Sequence, residues 1–295
     1  MARILAVGVA TLDIVNSVEA YPEEDAKIRA TAQRVGRGGN AANTLVVLSQ
    51  LGHRCQWGGT LGSDFAAGLV TEDLKAHGID LGACRAYREG RTPTSYIVHS
   101  TRTGSRTIIH YRDLPEFSRE DFARIPLDGL DWIHFEGRNI AETALMLQRT
   151  KQAHPAIPCS LEVEKPRPEI ESLFGRADVL LFSRDYAQHQ GYDDARAFLQ
   201  YLRPRFPHAD LICAWGEEGA SGMDRQGKMS SSASCPPPVL VDTLGAGDTF
   251  NAAIIDAFLR RYTMEEALRH ACHLAGMKCG HQGLDFITPP RASGS

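Results

Sequence analysis

The chain has 295 residues, 43% of them hydrophobic, enough to bury a substantial core at the upper edge of what one domain holds. Its 32 basic and 36 acidic residues leave a formal charge of -4, so no overall positive field exists to hold nucleic acid or anionic lipid, and a phosphate group must be caught locally. The seven cysteines (Cys55, Cys84, Cys159, Cys213, Cys235, Cys272, Cys279) form no Cys-x-x-Cys pair, which argues against a zinc site or a disulfide framework and for reduced thiols in a cytoplasm; no stretch approaches the length of a membrane span.

Short apolar runs alternate with amphipathic stretches, which predicts an α/β fold: a mostly parallel central sheet with helices on both faces. A buried first strand is expected over residues 4–9, a run too short and too soon followed by Asp13 for a secretion signal. Asp13 is expected at its end, where ligands of open α/β sheets gather. Residues 14–36 break the rhythm with alternating β-branched and polar residues. Helices follow over 41–51 and 65–77. Residues 93–112 alternate again, and 96–100 with 106–111 read as a β-hairpin around Thr101-Arg102-Thr103-Gly104-Ser105. Together the two segments predict a small separate sheet, a lid, with one apolar face that covers the site, another subunit, or both.

Further along, strands are expected over 132–135, 159–163, 179–182 and 211–215, and helices over 142–152 and 195–202. A short strand over 239–241 then leads to helices over 247–260 and 264–279. The whole predicts one domain over 1–288 with its lid, and a flexible tail over 289–295.

The most informative stretch is Asp242-Thr243-Leu244-Gly245-Ala246-Gly247-Asp248-Thr249-Phe250. Small residues Gly245, Ala246 and Gly247 let backbone amides converge on an anion, and the helix that follows adds its partial positive charge. Asp248 beside such a pocket would repel phosphate unless it has a task there, and accepting the proton of an attacking hydroxyl is that task. The plainer alternative is a tight turn with a helix-start carboxylate.

This stretch resembles the second signature of the ribokinase (PfkB) family of carbohydrate and nucleoside kinases. Gly38-Gly39-Asn40-Ala41-Ala42-Asn43 resembles the first, with Gly59-x-x-Gly62-x-Asp64 following it, and the likeness spans residues 4 to about 287. Within the family the chain is most similar to the branch that phosphorylates ketohexoses. The passages that carry this include Gly104-Ser105-Arg106-Thr107-Ile108, Phe135-Glu136-Gly137-Arg138-Asn139, Val163-Glu164-Lys165-Pro166-Arg167, Trp215-x-Glu217-Glu218-Gly219 and Gly276-x-Lys278-Cys279-Gly280.

The resemblance implies a ribokinase-like sandwich with a β-sheet lid, ATP and Mg2+ as cofactors, and Asp248 as base. The reaction it implies is phosphorylation of a sugar primary hydroxyl, D-fructose or a related ketose to its 1-phosphate. It further implies sugar contacts from Asp13, Gly39, Asn40, Asn43 and Arg138, and from Asp25 toward its own or a neighbouring subunit. Arg106, Lys165, Trp215, Gly216, Glu217, Glu218, Gly219 and Cys279 would meet the nucleotide, with Arg106 also serving catalysis. Asn40 as a helix cap, Trp215 as core and Cys279 as an ordinary thiol are the plain readings beside these. Many relatives order Mg2+ with an Asn-x-x-Glu motif, whereas Ser183-Arg184-Asp185-Tyr186 stands here, leaving Glu164, through water, as the expected metal contact. A monovalent cation such as K+ beside the anion hole and a homodimer through the lid strands are also implied. Alternatives are a kinase for ribose, a 2-keto-sugar acid or a nucleoside, and a non-catalytic sugar or nucleotide sensor.

Overall fold

The computed structural model describes residues 1–287, so the tail expected at 289–295 lies outside the described residues. In chain order come β1 (Arg3–Val7), β2 (Thr11–Val18), β3 (Ala32–Gly38), α1 (Asn40–Gln50), β4 (Arg54–Gly58), β5 (Thr60–Leu61), α2 (Phe65–Ala76), β6 (Arg85–Ala86), β7 (Thr94–Ser100), β8 (Arg106–Tyr111) and α3 (Arg119–Ala123). These are followed by β9 (Trp132–Glu136), α4 (Ile140–Ala153), β10 (Cys159–Val163), β11 (Val179–Ser183), α5 (Arg184–His189), α6 (Ala195–Leu202), β12 (Asp210–Ala214), β13 (Ala220–Met223), β14 (Met229–Ser232), α7 (Ala246–Leu259) and α8 (Met264–Cys279).

Eight strands form one sheet in the order β14-β13-β12-β11-β10-β9-β1-β4. From β12 to β4 every pairing is parallel, while β12–β13 and β13–β14 are antiparallel. β1 shows why the strands read as unbroken apolar runs. Its Ile4 and Ala6 enter the core under α1, α7 and α8, and Leu5 and Val7 enter the core under α4 and α6, so both faces are buried. Among the described residues no helix is long and apolar enough to cross a membrane. The seven cysteines are unpaired, and burial pushes the Cys55 and Cys159 thiols up to about 12, which keeps them protonated and unreactive.

A second, four-stranded sheet has the order β3-β2-β7-β8. Its β2 pairs in parallel with β7, and β7–β8 is the expected hairpin. The register aligns Val35, Ile14, Tyr96 and Ile109 in one row across the sheet, on the face opposite Asp13, Ser95 and His110.

Several expectations need correction. Asp13 does not end β1, which stops at Val7; it lies on β2 in the small sheet, because the chain turns at residues 8–10 and re-enters strand at Thr11. The small sheet is not apolar on one face only, since Ile97 and Ile108 face the cleft beside Asp13's row. Residues 239–241 form no strand. Val239, Leu240 and Val241 are exposed, Pro236, Pro237 and Pro238 before them lack amide donors, and the Val241 amide donates to Cys279 O at 2.8 Å instead of to a sheet. The far edge of the large sheet is closed by the β13–β14 hairpin, which the sequence did not announce; nor did it announce β4 at the other edge.

Candidate active site

α7 begins at the carboxyl ends of the parallel strands, under the small sheet. Gly245 caps it with φ 83, a left-handed conformation open to glycine at little cost. The Ala246 amide is turned back onto Thr243 O at 3.2 Å, while the amides of Gly245, Gly247 and Asp248 find no acceptor among the described residues. Unsatisfied donors at the positive end of a helix dipole make an anion hole.

The cleft between the sheets has a volume of about 1090 Å3. From the large sheet it is lined by Glu136, Glu162, Glu164, Ser183 and Ala214 at or just beyond the ends of β9, β10, β11 and β12. From the small sheet come Asp13, Ser95, Ile97, Arg106, Ile108 and His110.

Asp248 is buried at the floor of this cleft. Asn43 Nδ2 donates to its Oδ2 at 2.6 Å, and Asn43 Oδ1 in turn accepts from Arg37, whose guanidinium also bonds Asp73. Arg37 thereby orients the amide so that its nitrogen faces the carboxylate. Burial pushes the Asp248 carboxyl up to about 7, aided by the charges of Glu164 and Glu136 and opposed by the Asn43 hydrogen bond and Arg37. A base poised near neutrality combines availability with proton affinity.

Glu162 is the second buried acid. Its Oε1 accepts from Asn40 Nδ2 at 3.1 Å and Asn251 Nδ2 at 3.0 Å, and its Oε2 has no partner among the described residues. Burial first, then the charges of Asp248, Glu136 and Glu164, raise its pKa well above the usual carboxylate range, which favours its protonated form. Gln is the neutral isostere of that form. Glu162→Gln should therefore keep kcat/KM at neutral pH within about threefold, whereas Glu162→Leu, which strands the buried Asn251 amide and takes one of two acceptors from Asn40, should cost at least about tenfold. Steady-state kinetics of both variants check this, and a Gln variant as damaged as the Leu variant would contradict it.

Around this floor, Gly38 leaves room for Asp13, whose carboxylate occupies the space where a Cβ would stand. Thr11 Oγ1 donates to Asp13 Oδ1 at 2.7 Å. Asn40 also donates to Glu164 Oε2 at 3.0 Å, Lys165 Nζ lies 3.5 Å from Glu164 Oε1, and Arg138 Nη1 lies 3.5 Å from Glu136 Oε1. Burial, then Arg138 and Arg112, lower the His110 pKa, favouring its neutral form.

Of the residues singled out from the sequence, Asp13, Gly39, Asn40, Asn43, Arg106, Arg138, Glu164, Lys165, Gly245, Gly247 and Asp248 share the cleft wall. Ala246 sits in the same turn behind it. Asp25 is exposed on the β2–β3 connection, outside the cleft of its own chain. Trp215 packs into the core, Gly216, Glu217, Glu218 and Gly219 form a short turn after β12, and Cys279 ends α8; none of these lines the cleft. Arg37, Glu136, Glu162, His110 and Asn251 were missed. Glu162-Val163-Glu164 at a strand end puts both carboxylates on one face, a signal that was there to be used.

The donors fit a magnesium ion only in part. Among the described residues no three His, Cys, Asp or Glu side chains are grouped to hold a metal, but the Glu164 carboxylate is a hard ligand of the kind that completes the shell of an ion carried by phosphates. A monovalent cation fits less well, because the carbonyls beside the anion hole are already engaged by Lys278, with Nζ 2.7 Å from Asp242 O and 3.4 Å from His281 O.

Amides without acceptors can receive a transferring phosphoryl group, and a carboxylate raised toward neutrality beside them can take the proton of an incoming hydroxyl, an arrangement that fits a phosphotransferase with an alcohol acceptor. The chain matches the pfkB family carbohydrate kinases over residues 1–291 and belongs to that family. It is 43% identical to ketohexokinase of Mus musculus over 293 residues, covering 97% of this chain and 98% of that protein. It is 24% identical to the ATP-dependent ribose-1-phosphate kinase of Halopiger xanaduensis, over 96% of this chain and 94% of that one. In fold it matches the structure of Arabidopsis thaliana ribokinase complexed with ribose and ATP, with a TM-score of 0.80 at 22% identity, over 96% of this chain and 94% of that chain. The chain is an ATP-dependent sugar kinase.

Proposed function

We propose that the protein transfers the γ-phosphoryl group of ATP to the 1-hydroxyl of a ketohexose, D-fructose, with Asp248 as general base. The observation that carries this reading is Asp248 itself: buried, raised toward neutrality, and set beside amides that have no acceptor. Extensive similarity to ketohexokinase of Mus musculus supports the choice of sugar.

The sugar would lie between Asp13 and Asp248, with Gly39, Asn40, Asn43 and Arg138 supplying the paired donors and acceptors that polyols require. Its primary hydroxyl loses a proton to Asp248 as the oxygen attacks phosphorus and the bond to the ADP oxygen breaks. The charge that shifts onto the phosphoryl oxygens is met by the amides of Gly245, Gly247 and Asp248, the α7 dipole and Arg106 from β8. Lys165 is the further cation for the phosphate chain, and the turn Gly216, Glu217, Glu218 and Gly219, flanked by Trp215 and Cys279, is the proposed adenine side. Mg2+ bound to the nucleotide would supply charge neutralisation, with Glu164, through water, as its contact. Strands β2, β3, β7 and β8 close over the sugar and exclude the water that would otherwise hydrolyse ATP.

The exposed row Val35, Tyr96 and Ile109 on the outer face of the lid supports a homodimer through these strands, which would offer Asp25 to a neighbouring cleft. Sedimentation velocity showing only monomer at micromolar concentration would remove that part. Unpaired cysteines support a cytoplasmic location.

ADP release measured over a panel of fructose, other ketoses, ribose, a 2-keto-3-deoxy sugar acid and nucleosides tests the whole reading. Fructose is expected to give the highest kcat/KM, with 1-phosphate as product. A preference for ribose or a nucleoside would overturn the sugar, and ATP consumption that no sugar stimulates would overturn the activity.

A further inference from the structure

Lys278 is a fully buried lysine, 0% exposed, near the end of α8. Such burial is rare unless the ammonium is paired and hydrogen-bonded. Here it is both. Its Nζ donates to Asp242 O at 2.7 Å, approaches Asp242 Oδ2 at 3.2 Å and reaches His281 O at 3.4 Å.

What it holds is the segment that leads directly into the anion hole. The Asp242 carboxylate accepts from the Leu244 amide at 2.9 Å and the Gly283 amide at 3.2 Å, and Arg34 of β3 stands 3.6 Å from it. Cys279 O accepts from the amides of Val241 and Asp242. Residues 242–244 are thereby tied to the end of α8, and Gly245 follows at once. Burial opposes charge on both partners, lowering the Lys278 pKa, whereas for Asp242 the amides and Lys278 outweigh burial and hold its pKa below the ordinary range.

Two carbonyl oxygens and a carboxylate oxygen around one positive point are donors of the kind that coordinate a potassium or sodium ion. We propose that the Lys278 ammonium is the built-in cation of the anion hole, a positioning residue that holds residues 242–244 in the phosphate-receiving shape and makes the enzyme independent of added monovalent cations. The inference rests on the phosphoryl-transfer reading of this turn and specifies how the turn is kept in shape.

The test compares wild type, Lys278→Ala and Lys278→Arg in KCl and in choline chloride at equal ionic strength, reading both kcat and the thermal unfolding midpoint. Wild type should show the same kcat and the same midpoint in the two salts. Lys278→Ala should lose about a hundredfold in kcat in choline, as expected when a reacting group is misplaced by about 1 Å. Adding K+ or NH4+ should restore part of that loss and raise the variant's midpoint, an effect that loss of a merely structural contact would not produce. Lys278→Arg keeps the charge in a different shape and should stay well below wild type with no response to K+. A wild type that needs K+ for turnover or gains stability from it overturns the proposal, even if both variants fail to fold. So does a Lys278→Ala variant that is fully active, or one that is folded and indifferent to K+. Should wild type release no ADP with any sugar, the phosphoryl-transfer reading fails, and the salt-dependent unfolding midpoints still decide whether Lys278 fills a cation site.

Discussion

Asp248→Asn is expected to lower kcat by at least about a hundredfold, the usual worth of a general base, while ADP and sugar still bind. The substitution is nearly isosteric, and the carbonyl oxygen of the new side-chain amide can still accept from Asn43 Nδ2, now 2.6 Å from Asp248 Oδ2, so the floor of the cleft keeps its shape. What is lost is the lone pair that takes the proton. The same change should stabilise the fold. Asp248 is raised to about 7 in the folded protein, chiefly by burial, so folding favours its protonated form. A raised carboxyl lowers stability as pH climbs from the unfolded value, about 3.9, toward the folded one, and that cost is complete above it. The variant's unfolding midpoint should therefore exceed wild type at pH 8, and the gap should shrink below pH 4. In wild type the same proton shuts down catalysis, so kcat/KM should fall as pH drops below about 7. A variant with near-native kcat would take the base role away from Asp248.

Gly247→Ala separates folding from function in the same turn. An added Cβ at Gly247 meets no atom within 4 Å, although the residue lies in the first turn of a helix and on the cleft wall. The protein itself has room for the methyl. Glycine in a helix is about 0.5–1 kcal/mol less favourable than alanine, so stability should hold or rise slightly. Catalysis should not tolerate it, because the open space is where a phosphoryl oxygen must approach the amides; losing that approach should lower kcat about a hundredfold. Gly245→Ala makes the contrast, since φ 83 strains any other residue and its Cβ would lie 3.0 Å from Leu284, so this variant should lose stability as well. Kinetics and thermal unfolding of the two variants check the pair. A Gly247→Ala enzyme with wild-type kcat would mean that phosphate does not approach that amide.

The small sheet illustrates the reach of local reading. Its strands were legible as alternating β-branched residues, and the hairpin from Thr94–Ser100 to Arg106–Tyr111 falls where a Gly-Ser turn puts it. Its faces were not legible, because which residues look into the cleft depends on register with β2, a parallel partner far earlier in the chain. Asp13 was placed on the wrong sheet because the break at residues 8–10 divides what reads as one strand into β1 and β2, and Trp215 stood open between core and nucleotide until its surroundings were seen. The run at 239–241 has the composition of a strand, but the three prolines before it lack amide donors and the Val241 amide is taken by Cys279 O at the end of α8, so it joins no sheet.

By itself the amino-acid order determined the α/β alternation and the turn from Asp242 to Asp248, since periodicity, glycine conformation and the start of a helix act over a handful of neighbours. Only the tertiary structure decided the chemistry of that turn. Asn43 and Asp248 meet across 205 residues, Asn251 and Glu162 across 89, and Lys278 and Asp242 across 36. Proton affinity and the orientation of an amide depend on burial and on charges a few ångströms away in space, quantities that a linear pattern does not contain.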